Sequence, residues 1–247
     1  MIVKRDFIYT PTNQNRPLHI YLPDGYAESG ERYPVMYFFD GHNLFSDADA
    51  TYGKSWGIKD FLDAWDKPMI IVGIECGHGD GERLSEYLPY DVSIPFGKNI
   101  RGIGDATLDW IIHELKPVID REYRTIPFRE CTGVGGSSMG GLMALYTVIR
   151  HNMYFSKAAC LSSYVGPCMD PLMKDMDEYM TYPDTRVYLS RGEKEMHADS
   201  KGWDPVVAHQ IRTYGAVAKT CVQLGGGHNE ASWEKLVPEF MQFLWRE

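Results

Sequence analysis

Ser138 is the residue of this sequence with the clearest chemical potential. It is the central serine of a G-x-S-x-G pattern, GSSMG at positions 136–140, which follows an apolar, strand-like run. An apolar pattern with helical spacing starts directly afterwards, over residues 142–149. A strand, a tight glycine-flanked turn and a helix together hold a serine hydroxyl out at the edge of a sheet as a nucleophile. The backbone N–H of Met139 would then point at the oxygen of the carbonyl group under attack.

A serine hydroxyl needs a neighbouring base, and His228 is the predicted one. A serine in a turn of this kind is followed along the chain first by the acid and then by the histidine. The histidines that follow Ser138 are those at positions 151, 197, 209 and 228. His151 and His209 lie in helical patterns. His228 lies in GGGHN, positions 225–229, after the last predicted strand and before the last predicted helix. The glycines allow that loop to fold back towards Ser138, so we expect His228 to take up the serine proton.

The acid that orients the histidine should follow the strand predicted at 185–190. The loop that begins there reads SRGEKE at positions 190–195. Glu195 is the first choice as the acid, with Asp199 and Glu193 as alternatives. The alternatives stay open at this point because acidic residues are common in exposed loops.

The second group that could stabilise an oxyanion is the backbone N–H of His42. The segment DGHN at positions 40–43 follows a buried strand predicted at 33–39. Its glycine allows a sharp turn that would point this N–H towards the serine. We expect the side chains of Asp40 and Asn43 to hold the loop in shape. His42 itself is expected to act through its main chain, because it precedes the serine.

An alternation of strand and helix patterns predicts an α/β fold with a mostly parallel sheet and helices on both faces. The first two predicted strands form an antiparallel pair. The predicted strands are 3–10, 17–22, 33–39, 69–74, 157–162, 185–190 and 219–224, beside the strand before Ser138; the predicted helices are 56–65, 105–119, one that starts at Asp204, and 230–246. We expect Asp105 and Asp204 to cap their helices, and Pro117 to kink or end the helix in which it lies.

The chain of 247 residues is predicted to form a single domain, residues 1–247, with loop insertions at about 76–104 and 163–184. Long segments of this kind are usually functional. Both follow strands, so both should lie over the active site at the carboxyl edge of the sheet.

Three residues of these insertions are predicted to bind substrate. They are Arg83 and Tyr87 in the first segment and Tyr164 in the second. For Arg83, an ion pair with Glu86 that braces the loop is an alternative of equal weight. The prediction therefore depends on whether these side chains reach the cavity of the serine.

Composition argues against several classes of function. The net charge of −9 argues against nucleic acid or an anionic membrane surface as a partner. The sequence contains no run of 18 apolar residues, the length that a membrane-spanning helix needs. The N-terminus shows no secretory signal, and the five cysteines lack a C-x-x-C pair, so free thiols and a cytoplasmic location are expected. No metal-ligand spacing and no phosphate-binding or dinucleotide-binding glycine motif is present, so neither a metal nor a cofactor is expected.

The chain resembles the putative-esterase family of α/β-hydrolases, which includes esterase D, feruloyl and acetyl-xylan esterases, enterobactin-type siderophore esterases and mycolyltransferases. The resemblance covers nearly the whole chain. It depends on DGHNLF at 40–45, Arg83 with EYLP at 86–89, ELKP at 114–117, YRT at 123–125, GSSMGG at 136–141, GEKE at 192–195 and GHNEASW at 227–233. It implies an α/β-hydrolase fold, and it places the acid on Glu195, where many relatives carry aspartate.

This resemblance implies a serine carboxylic-ester hydrolase without a cofactor, acting on hydroxycinnamoyl (feruloyl) or acetyl esters of sugars. The expected partner is a small-molecule or oligosaccharide ester, and a homo-oligomer is left open. The alternatives are a siderophore esterase that cleaves a catecholate trilactone, an acyltransferase on the same fold, and a non-catalytic binding protein. Acidic residues in the two insertions favour neutral esters over ferric siderophores. One departure is LSSYV at 161–165, where many relatives carry Ser-Pro-Ser-Phe-Trp, which leaves the shape of the acyl pocket open.

Overall fold

A large mixed β-sheet lies at the centre of the protein. The computed structural model describes residues 1–94, 98–195 and 202–246. The strands within these ranges are β1 (Ile2–Tyr9), β2 (Gln14–Tyr21), β3 (Val35–Phe39), β4 (Ile70–Ile74), β5 (Val92–Ile94), β6 (Lys98–Ile100), β7 (Thr132–Ser137), β8 (Lys157–Leu161), β9 (Arg186–Gly192) and β10 (Val217–Gln223). Eight of them form one sheet in the order β1-β2-β4-β3-β7-β8-β9-β10, while β5 and β6 form a separate antiparallel hairpin.

The first two strands depart from the parallel arrangement of the main sheet. β1 pairs antiparallel with β2, and β2 pairs antiparallel with β4. The other neighbouring pairs run parallel. The predicted α/β fold and its antiparallel opening pair are confirmed. Because β3, β4, β7, β8 and β9 are parallel, their carboxyl ends meet at one edge, and the loops that follow them lie close together.

The helices lie near most of their predicted positions. Those in the described ranges are α1 (Ile58–Ala64), α2 (Glu82–Glu86), α3 (Gly104–Trp110), α4 (Lys116–Glu122), α5 (Met139–Arg150), α6 (Met169–Tyr179), α7 (Trp203–Thr213), α8 (Glu230–Glu234) and α9 (Val237–Trp245). Two predicted caps are wrong, because Asp105 and Asp204 lie inside the first turns of α3 and α7. The capping positions are Ile103 and Gly202 instead. In the part of the chain that the structure describes, no helix is long and apolar enough to cross a membrane.

Pro117 does not end its helix. The helical path continues from α3 through a wider turn, Ile111–Leu115, into α4, and Pro117 lies in the first turn of α4. In the wider turn the N–H of Lys116 bonds to the carbonyl of Ile111, five residues back. Proline has no N–H to donate, so a widened turn directly before it accommodates the missing hydrogen bond.

Helices cover both faces of the sheet, as predicted. In β3, Val35, Tyr37 and Phe39 face one apolar core, whereas Met36 and Phe38 face the other, and all five are buried. Burial on both faces explains the continuous apolar run of this strand. Side chains of α3, α5, α6 and α7 contribute to the first core, and those of α1 and α9 to the second.

The two predicted insertions contain secondary structure of their own. Residues 76–104 include α2 and the β5–β6 hairpin, and residues 163–184 include α6. The first follows β4 and the second follows β8. Both segments therefore begin at the edge of the sheet where β7, the strand before Ser138, also ends.

Candidate active site

Ser138 lies in the turn between β7 and α5, with backbone angles φ 57° and ψ −119°. A positive φ costs a serine about 1–3 kcal/mol and persists only where the surroundings hold it. Here the Ser138 N–H donates to the carbonyl of Leu161 at 2.9 Å, and the Ser138 carbonyl accepts from the N–H groups of Leu142 and Tyr164. A Cβ at Gly136 would lie 2.6 Å from the backbone four residues further on, so the turn is too tight for a side chain there.

Glu195 lies against His228 and is only 4% exposed. Its Oε2 is 3.3 Å from His228 Nδ1, and its Oε1 accepts from the N–H of Gly192 and the hydroxyl of Ser162. Burial alone would raise the pKa of Glu195, but hydrogen bonds from His228, Ser162 and Gly192 lower it below its ordinary value. An ionised carboxylate at Nδ1 orients the imidazole and favours the tautomer in which Nε2 can accept a proton.

Two glycines bring the acid loop and the histidine loop into contact. A Cβ at Gly192 would lie 2.5 Å from the carbonyl oxygen of Gly226, so the two backbones touch. The N–H of Lys194 donates to the same carbonyl at 2.8 Å. The glycine-rich stretch before His228 thus packs on the acid loop, which places the histidine beside Glu195.

Of the three acids predicted from the sequence, Glu195 is the one that the structure brings to His228. Glu193 is exposed, and its carboxylate accepts from the N–H of Gly225, which braces the loop. Asp199 lies outside the described residues. The choice between Glu195 and Glu193 is therefore made by burial and by distance.

Asp40 lies at the start of the predicted oxyanion loop. It is fixed by Arg83 of α2 and by Tyr87, the residue directly after α2. Its backbone has a left-handed conformation, with φ 58° and ψ 50°. The guanidinium of Arg83 donates two hydrogen bonds to its carboxylate, Nε to Oδ1 at 2.8 Å and Nη2 to Oδ2 at 2.7 Å. The N–H of Asp40 donates to the hydroxyl of Tyr87 at 3.2 Å. A bidentate pair of this kind fixes orientation as well as position.

The glycine after Asp40 sets how closely the loop approaches the sheet. A Cβ at Gly41 would lie 2.3 Å from the backbone carbon of Gly73 in β4, so any other residue would push the loop outward. His42 follows in a short 3-10 turn, Gly41–Asn43. The side chain of Asn43 accepts from the N–H of Thr51 at 3.0 Å. Asp40 and Asn43 hold the loop, as the sequence predicted.

A cavity of about 460 Å³ joins these parts. Ser138, His228, His42 and Arg83 all line it, so four of the predicted site residues share one space. Its other lining residues are Asp40, Asn43, Thr51, Tyr52, Cys76, Gly77, His78, Gly79, Ser137, Glu230 and Trp233. Met139 is buried at the first position of α5, where helix N–H groups have no partner within the helix.

Tyr87 does not belong to the cavity wall, and its predicted contact with substrate is corrected by the structure. The residue is only 1% exposed and its ring packs edge-on against Phe39, with ring centroids 5.1 Å apart. Its hydroxyl accepts the hydrogen bond from Asp40. Tyr87 therefore supports the predicted oxyanion loop from the core, where a substrate cannot reach it.

Tyr164 lies beside the serine turn, with its N–H donating to the Ser138 carbonyl at 3.1 Å. Its side chain is half-buried and packs against the first apolar core, the one that Val35, Tyr37 and Phe39 face. It is not among the described residues that line the cavity. The structure thus gives Tyr164 a backbone role in the turn, and its contact with substrate stays a prediction.

The predicted ion pair of Arg83 with Glu86 is wrong. Glu86 is buried and binds the buried guanidinium of Arg16 through both carboxylate oxygens, at 2.8 and 2.6 Å. Arg83 pairs with Asp40 instead and keeps 33% of its side chain exposed. It both braces the oxyanion loop and forms part of the cavity wall.

Two buried residues that the sequence did not indicate complete the surroundings of the acid. Ser162, with φ 48°, donates to Glu195 at 2.5 Å, and the indole N–H of Trp233 donates to the Ser162 hydroxyl at 2.9 Å. The Trp233 ring also packs edge-on against the imidazole of His228, with centroids 5.2 Å apart. The helical spacing of Trp233 indicated only a core position. Nothing in the local pattern around Ser162 pointed to the acid.

Comparison with known proteins relates this chain to esterases. Residues 10–244 match the model of the family described as Putative esterase. A segment of 153 residues, 62% of this chain, is 31% identical to an esterase of Mycobacterium tuberculosis and covers 29% of that protein. Over 245 residues, 95% of this chain, the sequence is 25% identical to an endo-1,4-beta-xylanase/feruloyl esterase of Xylanibacter ruminicola, 30% of which is covered. Each match covers less than a third of the relative's own length.

The fold is shared with an IroE-like serine hydrolase from Shewanella oneidensis. The TM-score is 0.80 at 19% identity, over 98% of this chain and 79% of that one. At this identity the likeness concerns the fold alone, and it confirms the predicted α/β-hydrolase architecture. Because the family match extends over residues 10–244, the chain belongs to the putative esterase family.

Proposed function

We propose that this protein is a serine carboxylic-ester hydrolase whose nucleophile is Ser138. The observation that carries the proposal is that Ser138 and His228 line one cavity, while the buried carboxylate of Glu195 lies against His228 Nδ1. A nucleophile, a base and an orienting acid are what acyl transfer through a covalent intermediate requires. Membership of an esterase family supports the same class of reaction.

In the proposed first step, His228 accepts the hydroxyl proton of Ser138 while the serine oxygen bonds to the ester carbonyl carbon. The N–H groups of Met139 and His42 stabilise the negative charge on the carbonyl oxygen. The tetrahedral intermediate collapses when His228 gives its proton to the leaving alcohol, and the acyl group stays on Ser138. Glu195 stabilises the imidazolium that exists between the two proton transfers.

Water completes the proposed cycle. His228 removes a proton from the water as its oxygen bonds to the acyl carbon, and the same proton returns to Ser138 when the acid leaves. An alcohol in place of water would produce a new ester by the same steps. The acceptor is therefore the feature that separates a hydrolase from an acyltransferase.

The charge of the cavity supports a neutral ester as the substrate. Among the described residues that line it, Arg83 is the one arginine or lysine, and its guanidinium is already paired with Asp40. Burial raises the pKa of Glu230 in the same wall, which makes this carboxyl easier to protonate than an exposed one. A ferric catecholate complex carries several negative charges and would need several cations to hold it. We therefore place hydroxycinnamoyl or acetyl esters of sugars ahead of siderophores.

Steady-state rates on feruloyl and acetyl sugar esters and on an iron-loaded catecholate trilactone test this choice. We expect a higher kcat/KM for the neutral esters, and a higher value for the iron complex would make the protein a siderophore esterase. A sugar alcohol added as a competing acceptor should leave the free acid as the main product. Transfer of most of the acyl group to that alcohol would identify an acyltransferase.

A further inference from the structure

Three side chains that could ligate a metal ion meet in the wall of the active-site cavity. They are His42 in the oxyanion loop, and Cys76 and His78 in the segment that follows β4. One potential ligand atom of each lies within 4.8 Å of the other two. The sequence predicted no metal site because no local spacing indicates one. His42 and the other two residues come together only through the parallel pairing of β3 with β4.

His42 has a buried ring nitrogen that is not used elsewhere in the described part of the chain. The residue is 6% exposed, and its Nε2 is 2.9 Å from the hydroxyl of Thr51. Its Nδ1 has no hydrogen-bond partner among the described residues. Burial lowers the pKa of His42, so the imidazole is neutral at pH 7. When Nε2–H donates to Thr51, Nδ1 carries a lone pair, which is the form of histidine that binds metals.

His78 is oriented by a carboxylate. Its Nε2 is 2.8 Å from Oε2 of Glu75, and the other oxygen of Glu75 is 2.6 Å from Nε2 of His19. Metal-binding histidines commonly donate their second N–H to a carboxylate, which fixes the ring and strengthens the ligand. The same arrangement here leaves Nδ1 of His78 as its ligand atom.

Cys76 supplies the soft ligand. It is buried, and burial raises the pKa of its thiol, so the sulfur is protonated before a metal binds. A bound ion takes the place of that proton, which leaves to solvent, and the sulfur then binds as a thiolate. Two nitrogens and one sulfur leave the fourth position of a tetrahedral site for a water molecule.

We propose that His42, Cys76 and His78 bind a zinc ion and that zinc bound there inhibits the enzyme. Imidazole and thiolate suit zinc, whereas magnesium and calcium take oxygen ligands. Inhibition is expected because the ion and its water occupy the cavity that the substrate enters, beside the proposed oxyanion donor. The inhibition depends on the proposed function, but zinc binding does not.

Competition with a chromophoric chelator at pH 7 measures zinc binding on the full chain. Cys76→Ser and His78→Ala should each weaken binding more than ~100-fold, and Glu75→Gln by ~10–100-fold, as for the outer partners of metal ligands. Cobalt(II) should give a thiolate charge-transfer band that Cys76→Ser abolishes. The control variants Cys221→Ser and His209→Ala lie outside the cavity wall and should bind zinc like the wild type.

Ser138→Ala should also bind zinc with wild-type affinity, which separates the metal site from the proposed function. In the wild type, zinc should lower the rate of ester hydrolysis and the chelator should restore it, whereas Cys76→Ser should be insensitive. Unchanged zinc affinity in both Cys76→Ser and His78→Ala, or no cobalt band in the wild type, would overturn the site. Tight binding with no effect on turnover would overturn the inhibition.

Discussion

Both sides of the active-site cavity use close backbone contact at glycines, but the side chains on each side have different roles. On the base side, the loops of Glu195 and His228 touch backbone to backbone through Gly192 and Gly226. On the oxyanion side, Gly41 touches the backbone of Gly73 in the same way, and Asp40 is held by side chains that lie 43 and 47 residues further along the chain. Close backbone approach depends on glycines in short motifs. Long-range side-chain support depends on an ion pair and a hydroxyl that a single substitution can remove.

This difference predicts different consequences of mutation on the two sides. The base side carries the groups that we propose to exchange protons, so its variants should lose turnover while they stay folded. The oxyanion side positions the main-chain N–H of the proposed oxyanion donor, so its variants should lose less turnover and some stability as well. The experiments below test this division from the largest expected effect to the smallest.

The largest effect is expected for Ser138→Ala. Loss of the nucleophile should lower kcat at least ~10³-fold, as in other serine triads, because only binding and oxyanion stabilisation remain. The melting temperature should stay close to that of the wild type. Ser93→Ala, an exposed serine of the β5–β6 hairpin, is the matched control and should keep full activity. Substantial ester hydrolysis by the Ser138→Ala protein would show that the nucleophile lies elsewhere.

The second largest effect on turnover is expected for Glu195→Gln, with kcat lowered by about 10²–10⁴-fold and KM nearly unchanged. The reason is that the carboxylate matters most when His228 becomes an imidazolium. Glu193→Gln, in the same loop but exposed, should keep nearly normal kinetics. A large loss in Asp199→Asn beside a nearly normal Glu195→Gln would transfer the role to Asp199.

Arg83→Ala should have a smaller effect on turnover and a measurable effect on stability. Loss of both hydrogen bonds to Asp40 loosens the oxyanion loop, and we expect kcat to fall about 10–100-fold, less than for outright removal of an oxyanion donor. The loss should be similar for all substrates, with a lower melting temperature, and Arg83→Lys should restore part of both. An uneven loss across substrates at unchanged melting temperature would instead make Arg83 a substrate-binding residue.

The free energy of unfolding should depend on pH through Glu75, which binds His78 beside the oxyanion side of the cavity. Burial opposes its ionisation, but hydrogen bonds from His19 and His78 lower its pKa from 4.5 to about 2. Because the folded pKa is below the unfolded one, this stabilisation is complete above about pH 4.5 and is lost as the pH falls towards about 2. Urea unfolding at pH 7 and pH 3 should therefore show a smaller pH effect in Glu75→Gln than in the wild type. The exposed control Glu31→Gln should keep the wild-type pH effect, and the same pH effect in Glu75→Gln would contradict the prediction.

The sequence predicted those parts of the site that depend on local spacing. The turn at Ser138 and the loop before His228 are set by glycines a few positions away, so short motifs reveal them. Tyr87 looked like a substrate contact because it lies in a long segment after a strand, but a substrate-facing and a core-facing tyrosine have the same local pattern. The pairing of Arg83 with Asp40 depends on the neighbouring positions of β3 and β4, which no local pattern encodes.

Labelling with a fluorophosphonate, followed by mass spectrometry of the modified peptide, tests the proposed nucleophile most directly. A serine that is activated by a neighbouring histidine should react, whereas ordinary serines do not. We predict one modified residue, Ser138, with the label lost in Ser138→Ala and strongly slowed in Glu195→Gln. A label on any other residue, or no label on a folded and catalytically active protein, would contradict the proposed mechanism.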